Sequence, residues 1–155
     1  MVLTLVVTFA LLLATGAIAL PARQTEVAAR GAQVMPFDLE KTQHVFADTE
    51  DGGIQQVVAL DPNDAAQIAL IRQHLLEEAE KFRRGDFADP ASIHGSSMPG
   101  LTDLRTSVGK IDIVYSELPN GAQLQYTTID TTLVMALHHW FQAQVSDHGA
   151  HAIEQ

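Results

Sequence analysis

The sequence predicts an α+β fold: two ββα units forming a four-stranded antiparallel sheet, with two helices packed on one face. Three observations predict it. Two hairpin signals, Asp51-Gly52-Gly53 and Pro119-Asn120-Gly121, each separate short runs of strand-forming residues. Each second strand runs into a segment with apolar residues at helical spacing. The two halves align at Gly52/Gly121, Gln56/Gln125 and Asp61/Asp130, each pair 69 residues apart.

The chain divides into three stretches. Residues 1–20 are expected to be a signal peptide or a membrane anchor. Residues 2–20 contain no charge, and they approach the ~20 apolar residues that span a bilayer as a helix. Ala17-Ile18-Ala19 supplies the small residues that a signal peptidase reads. No Lys or Arg precedes the apolar run, which leaves an uncleaved anchor open. Residues 21–34 read as a flexible tether. Residues 35–152 read as a single acidic α+β domain. The expected location is periplasmic or secreted, with membrane anchoring as the alternative. Translation from Met35 would instead give a cytoplasmic protein.

Within the domain, Gln43–Ala47 and Ile54–Leu60 are the first two strands, joined by the Asp-Gly turn. Asp and Gly tolerate the positive φ that tight hairpins require. Asp61 is placed to cap the first helix, with Pro62 at its first position, where a missing N–H costs nothing. Ile68, Ile71, Leu75 and Phe82 form its buried stripe, and Gly85 ends it. Residues 86–110 are rich in Pro, Gly and Ser and predict one or two short helical turns, with Pro90 and Pro99 in their first turns. Ile111–Ser116 and Gln123–Ile129 form the second hairpin. Asp130 caps the second helix, Leu133, Leu137, Trp140, Phe141 and Val145 bury it, and Gly149 stops it.

Charge and composition narrow the function. The formal net charge is −10. The first 34 residues contribute +1, so the domain itself stands near −11. That charge repels nucleic acid and anionic lipid, because no basic stripe is present to meet phosphate. Membrane contact is expected only through an uncleaved leader. With no cysteine, disulfides, thiolate metal ligands and cysteine nucleophiles are excluded. No Gly-x-Ser-x-Gly elbow, phosphate loop or dinucleotide fingerprint is present. The sequence therefore points to a binding protein rather than an enzyme, although a histidine with a carboxylate leaves acid–base chemistry open.

All seven histidines follow Met35, and imidazole is the commonest transition-metal ligand. His74 and Glu78 are four apart on one helix face, where they can share a Zn²⁺ or Cu²⁺ ion or form a surface pair. In His94-Gly95-Ser96-Ser97-Met98-Pro99-Gly100, Met98 is a soft ligand suited to copper with His94 beside it. The alternative is a turn capped by His94, with Met98 filling a core gap. His138 reads as a hydrogen-bonded core residue and His139 as solvated. His148 and His151 lie near the C-terminus. The expected metal set is His74, Glu78, His94, Met98 and His148, binding copper or zinc. The competing expectation is a metal-free module that binds a ligand or a protein partner on the open sheet face, through Gln56, Gln125 and Tyr126.

The order of short motifs from Met35 onward carries a resemblance. These are Met35-Pro36-Phe37-Asp38-Leu39, His44-Val45-Phe46, Gly85-Asp86-Phe87, Ile93-His94-Gly95, Met98-Pro99-Gly100-Leu101, Trp140-Phe141 and Asp147-His148-Gly149. In these the chain resembles a family of small, functionally unassigned bacterial proteins, some with signal peptides. Members often carry the name aspartate carbamoyltransferase. Enzymes with that activity bind carbamoyl phosphate with a Ser-Thr-Arg-Thr loop. Here the nearest segment is Leu104-Arg105-Thr106-Ser107, so carbamoyl transfer is not expected. The resemblance implies the domain boundary and export, and no site residues.

Overall fold

Both hairpins form where the turn signals stand. In the computed structural model, which describes residues 22–155, β1 (Thr42–Thr49) pairs antiparallel with β2 (Gly52–Ala59). β3 (Asp112–Leu118) pairs the same way with β4 (Gly121–Thr127). The hairpins join through β2 and β4, again antiparallel, with Val57 opposite Ala122. The leader expected at residues 1–20 lies outside the described residues. Among the described residues no helix is long and apolar enough to cross a membrane.

The α+β class stands, but the sheet is larger than expected. A fifth strand, β5 (Ala152–Glu154), adds to the free edge of β1 in parallel, with His44 opposite Ala152. The order is β3-β4-β2-β1-β5, so among the described residues the sheet has five strands and is mixed. Three residues are too few to show strand alternation in a sequence.

Among the described residues five α-helices accompany the sheet: α1 (Ala22–Val34), α2 (Ala65–Arg83), α3 (Ala88–His94), α4 (Leu101–Arg105) and α5 (Thr131–His148). The cap of α2 is Asp64 rather than Asp61; its carboxylate accepts from the Gln67 N–H at 3.1 Å. Asp61 instead closes the preceding turn, accepting from the Asn63 N–H at 2.9 Å. Asp130 caps α5 as expected, accepting from the Thr132 N–H at 3.0 Å. Both short helices fall in residues 86–110, with Pro90 in the first turn of α3 and Pro99 just before α4. Gly100 starts α4 at φ +76°, where a Cβ would sit 2.0 Å from the Ala136 carbonyl oxygen of α5. Only glycine permits that approach.

Alternation places His44, Phe46, Val57, Leu124 and Tyr126 in the buried layer beneath α2 and α5. Tyr126 is fully buried, so it does not share the open face with Gln56 and Gln125; neighbouring strand residues point to opposite sides. Trp140 of α5 stands at the centre of this core, edge-on to Phe82, Phe87 and Tyr126.

Within the stretch expected to be a flexible tether, the described residues 22–34 are helical instead. From Ala22 to Val34 they form α1, which packs on α3 and α5 with Val27 completely buried. Arg23 fastens it, donating from Nε to Asp147 Oδ1 at 3.0 Å and from Nη2 to the His94 carbonyl at 2.6 Å.

Candidate functional site

Three histidines from three elements meet under α1. His44 points inward from β1, His94 ends α3, and His148 ends α5. All three are buried. The His44 and His148 rings stack at 4.9 Å, and His94 stands edge-on to His148 at 4.8 Å. His94 Nδ1 lies 2.9 Å from Asp147 Oδ2, and Asp147 is itself held by Arg23. A carboxylate at Nδ1 fixes the ring and leaves Nε2 to face other partners.

The three rings line one cavity of about 40 Å³. Its lining also includes His74 and Glu78 of α2 and Asp89 of α3, and Gln55, Trp140 and Gln144 complete its polar groups. Around these stand Val34, Met35, Val57, Leu75, Phe82, Pro90 and Ile93. Space of that size holds roughly three water molecules, since one needs about 10–15 Å³ on the same scale.

Burial sets the protonation states. It pushes the His44 imidazole down to about 4, helped by the charge of His74 and opposed by a hydrogen bond with the His151 backbone. It pushes His148 down to about 2, with His44 and His94 adding to the effect. Burial also lowers His94, against the pull of Asp147, and lowers His74, with Lys81 adding to the shift. All four imidazoles are therefore neutral at pH 7, the form that offers a lone pair to a metal.

Glu78 behaves differently. Burial, then a hydrogen bond with Asp89, pushes its carboxyl up to about 7, while Lys81 pulls the other way. Lys81 Nζ reaches Glu78 Oε1 at 2.9 Å and also pairs with Asp89. Burial works to raise Asp89, but its hydrogen bonds with Glu78 and Lys81 win and hold it low. Because the folded state binds the Glu78 proton more tightly than the unfolded chain, stability falls as pH rises from about 4.5 to about 7. Glu78→Gln is expected to flatten that fall and to stabilise the protein at pH 8, relative to pH 4, by about 3 kcal/mol. Urea unfolding of both proteins at the two pH values checks this; an equal pH dependence in the variant would refute it.

Of the five residues expected to form the site, four share the cavity: His74, Glu78, His94 and His148. Met98 does not. It is buried in a separate hollow, which Arg23, His94, Ser97 and Asp147 also line. His138 is hydrogen-bonded through Nε2 to the Thr49 and Gly52 carbonyls at 3.1 and 2.8 Å, so it braces the β1–β2 turn. His139 is exposed. Sequence reasoning missed His44, Trp140 and Gln144. The signal for Gln144 was its place midway between Trp140 and His148 on the buried stripe of α5.

Among the described residues, three buried side-chain polar atoms lack a hydrogen-bond partner: His44 Nδ1, Trp140 Nε1 and Gln144 Nε2. All three residues line this cavity. Orphaned groups in a native core call for a physical reason. Also among the described residues, no group of three or more His, Asp or Glu side chains has its ligand atoms arranged to hold a metal ion. Comparison of the chain with protein-family models, curated proteins and solved structures finds no match.

Proposed function

We propose that this is a small exported accessory protein that binds one copper or zinc ion in the cavity beneath α1, through His44, His94 and His148. The observation that carries the reading is the meeting of three neutral imidazoles from β1, α3 and α5 on one cavity, one of them already oriented by a carboxylate. Imidazole nitrogen suits both metals. The unpartnered Nδ1 of His44 is a free ligand atom. His44 and His148 stack face to face with only 9° between their planes, so their lone pairs do not yet converge. Binding would require a turn of one ring about χ2, a broad torsion in histidine. His74 and Glu78 line the same cavity. Export rests on the charge-free run of residues 2–20.

Thermal melting tests the reading. At a hundredfold excess over Kd, Zn²⁺ or Cu²⁺ stabilises by about 2.7 kcal/mol, which raises Tm by roughly 8–12 °C for a domain of this size. His44→Ala, His94→Ala and His148→Ala each abolish the rise, while His139→Ala retains it. A metal-independent Tm in the parent protein refutes the proposal.

A further inference from the structure

The helices cover one side of the sheet. α2 and α5 pack on it, α1 rests on α3 and α5, and α4 rests on α5. Among the described residues no element packs on the other side. The pairing register fixes which residues reach that bare side, because cross-strand partners share a face. One row runs Ile153, Val45, Gln56, Gln123 and Ser116 across all five strands, and the next runs Ala47, Ile54, Gln125 and Val114. Of the strand residues on this side only Asp112, at the end of β3, is charged. The chain carries 19 acidic and 9 basic residues, so nearly all of that charge is kept off one whole face. Val114 and Ile153 stand 48% and 41% exposed there, and Leu60, just past β2, 60%. Apolar groups left open together on an uncharged surface mark a contact site.

We propose that this face joins a second copy of the chain, sheet against sheet, in a two-fold symmetric dimer. Charge selects a second copy over a foreign partner. A basic partner would be drawn to the acidic residues, which lie elsewhere, whereas a chain of net charge −10 can approach itself closely only where it is uncharged. The amides on the face are also self-complementary. Gln56 Nε2 donates to Gln123 Oε1 at 3.1 Å, so the Gln56 oxygen and the Gln123 N–H groups are left to offer. A two-fold copy presents the same acceptor and donor in reverse order, so each meets its complement. Gln56 lies on β2, the middle strand of the five, where an axis normal to the sheet passes. Strands about 4.8 Å apart and about 20 Å long give a face of about 500 Å², or about 1,000 Å² buried between two copies, the size at which specific interfaces begin. Two twisted sheets of the same hand stack in this way about 10 Å apart. The histidine cavity lies on the helix side of the sheet, so the contact is independent of any metal.

Sedimentation velocity of the full-length protein over a range of concentrations is the test. The expected result is a reversible dimer of the 16.8 kDa chain, which tightens as salt rises because salt screens the repulsion between two acidic copies. Val114→Lys and Gln125→Lys each weaken its Kd at least tenfold, although both lower the net negative charge. Both side chains already face solvent, and circular dichroism checks that the variants are folded. Met135→Lys, at an exposed position of α5, leaves the dimer intact. A protein that is not dimeric at any concentration overturns the inference. So does a dimer that survives either face variant, since the contact then runs through another part of the chain, residues 1–20 included. A dimer that Met135→Lys dissociates, or that salt weakens, overturns it as well.

Discussion

Trp140→Ala is expected to destabilise the protein by about 4 kcal/mol, within the range for a fully buried aromatic cut back to a methyl. The indole is completely buried and touches both layers of the fold. Its ring lies 5.8 Å from Phe82 of α2, 5.7 Å from Phe87 and 6.1 Å from Tyr126 of β4, in each case nearly perpendicular. Such edge-to-face pairs add about 0.5–1.5 kcal/mol each beyond area burial. Relaxation does not recover the loss, because the site already borders a cavity and the neighbouring rings are held from separate elements. A domain with total stability of about 5–15 kcal/mol would lose a large share of it. Guanidinium unfolding of the two proteins measures the difference. A loss below about 1.5 kcal/mol would mean that the aromatic cluster repacks, and that Trp140 is retained for its N–H instead. Trp140→Phe, which keeps the packing, is expected to cost much less.

Much of the fold was legible because its signals are local. Asp51-Gly52 and Asn120-Gly121 specify tight turns whatever the rest of the chain does, and both hairpins formed around them. Asp130 and Gly149 bound α5 as the sequence indicated. What escaped depends on partners distant in sequence. β5 is three residues long and exists because β1 offers it an edge. α1 buries only Val27 and Gly31, and a glycine gives no hydrophobic signal. Gly31 is small because Met35 and Leu39 pass 3.1 and 3.3 Å from where its Cβ would be. The site followed the same rule. The abundance of histidine marked His74, His94 and His148, but His44 was hidden in a strand, where alternation explains its burial without any chemistry. Met98 was drawn in by closeness to His94 in sequence, yet it lines a different hollow. Gln144 was passed over in favour of Val145, because a polar residue was not expected on the buried side of α5. That unexpected polarity is what marks the cavity.

A chain beginning at Met35 is expected to fold with less stability, and its histidine cluster is expected to lose its cover. α1 contributes one completely buried side chain, Val27, worth about 1.5–3 kcal/mol. It also contributes the paired hydrogen bonds of Arg23 to Asp147; with the guanidinium nearly half exposed, these add no more than about 1 kcal/mol. Opposing both is the entropy of ordering a helix that shows no acidic residue in its first turn and no basic one in its last. One substitution tests how much the Arg23 contacts add to this docking. Arg23→Ala should cost under 1 kcal/mol in stability yet free Asp147, which then holds His94 alone. Amide hydrogen exchange separates the two effects: removal of α1 should raise exchange in α3 and at the end of α5, while the β2–β4 pairing at the centre of the sheet stays protected. Unchanged exchange around His94 after the truncation would mean that α1 only rests on the surface. In that event the cavity is closed by α2, α3 and α5 without it, and the length of chain between residues 22 and 34 plays no part in shaping the site.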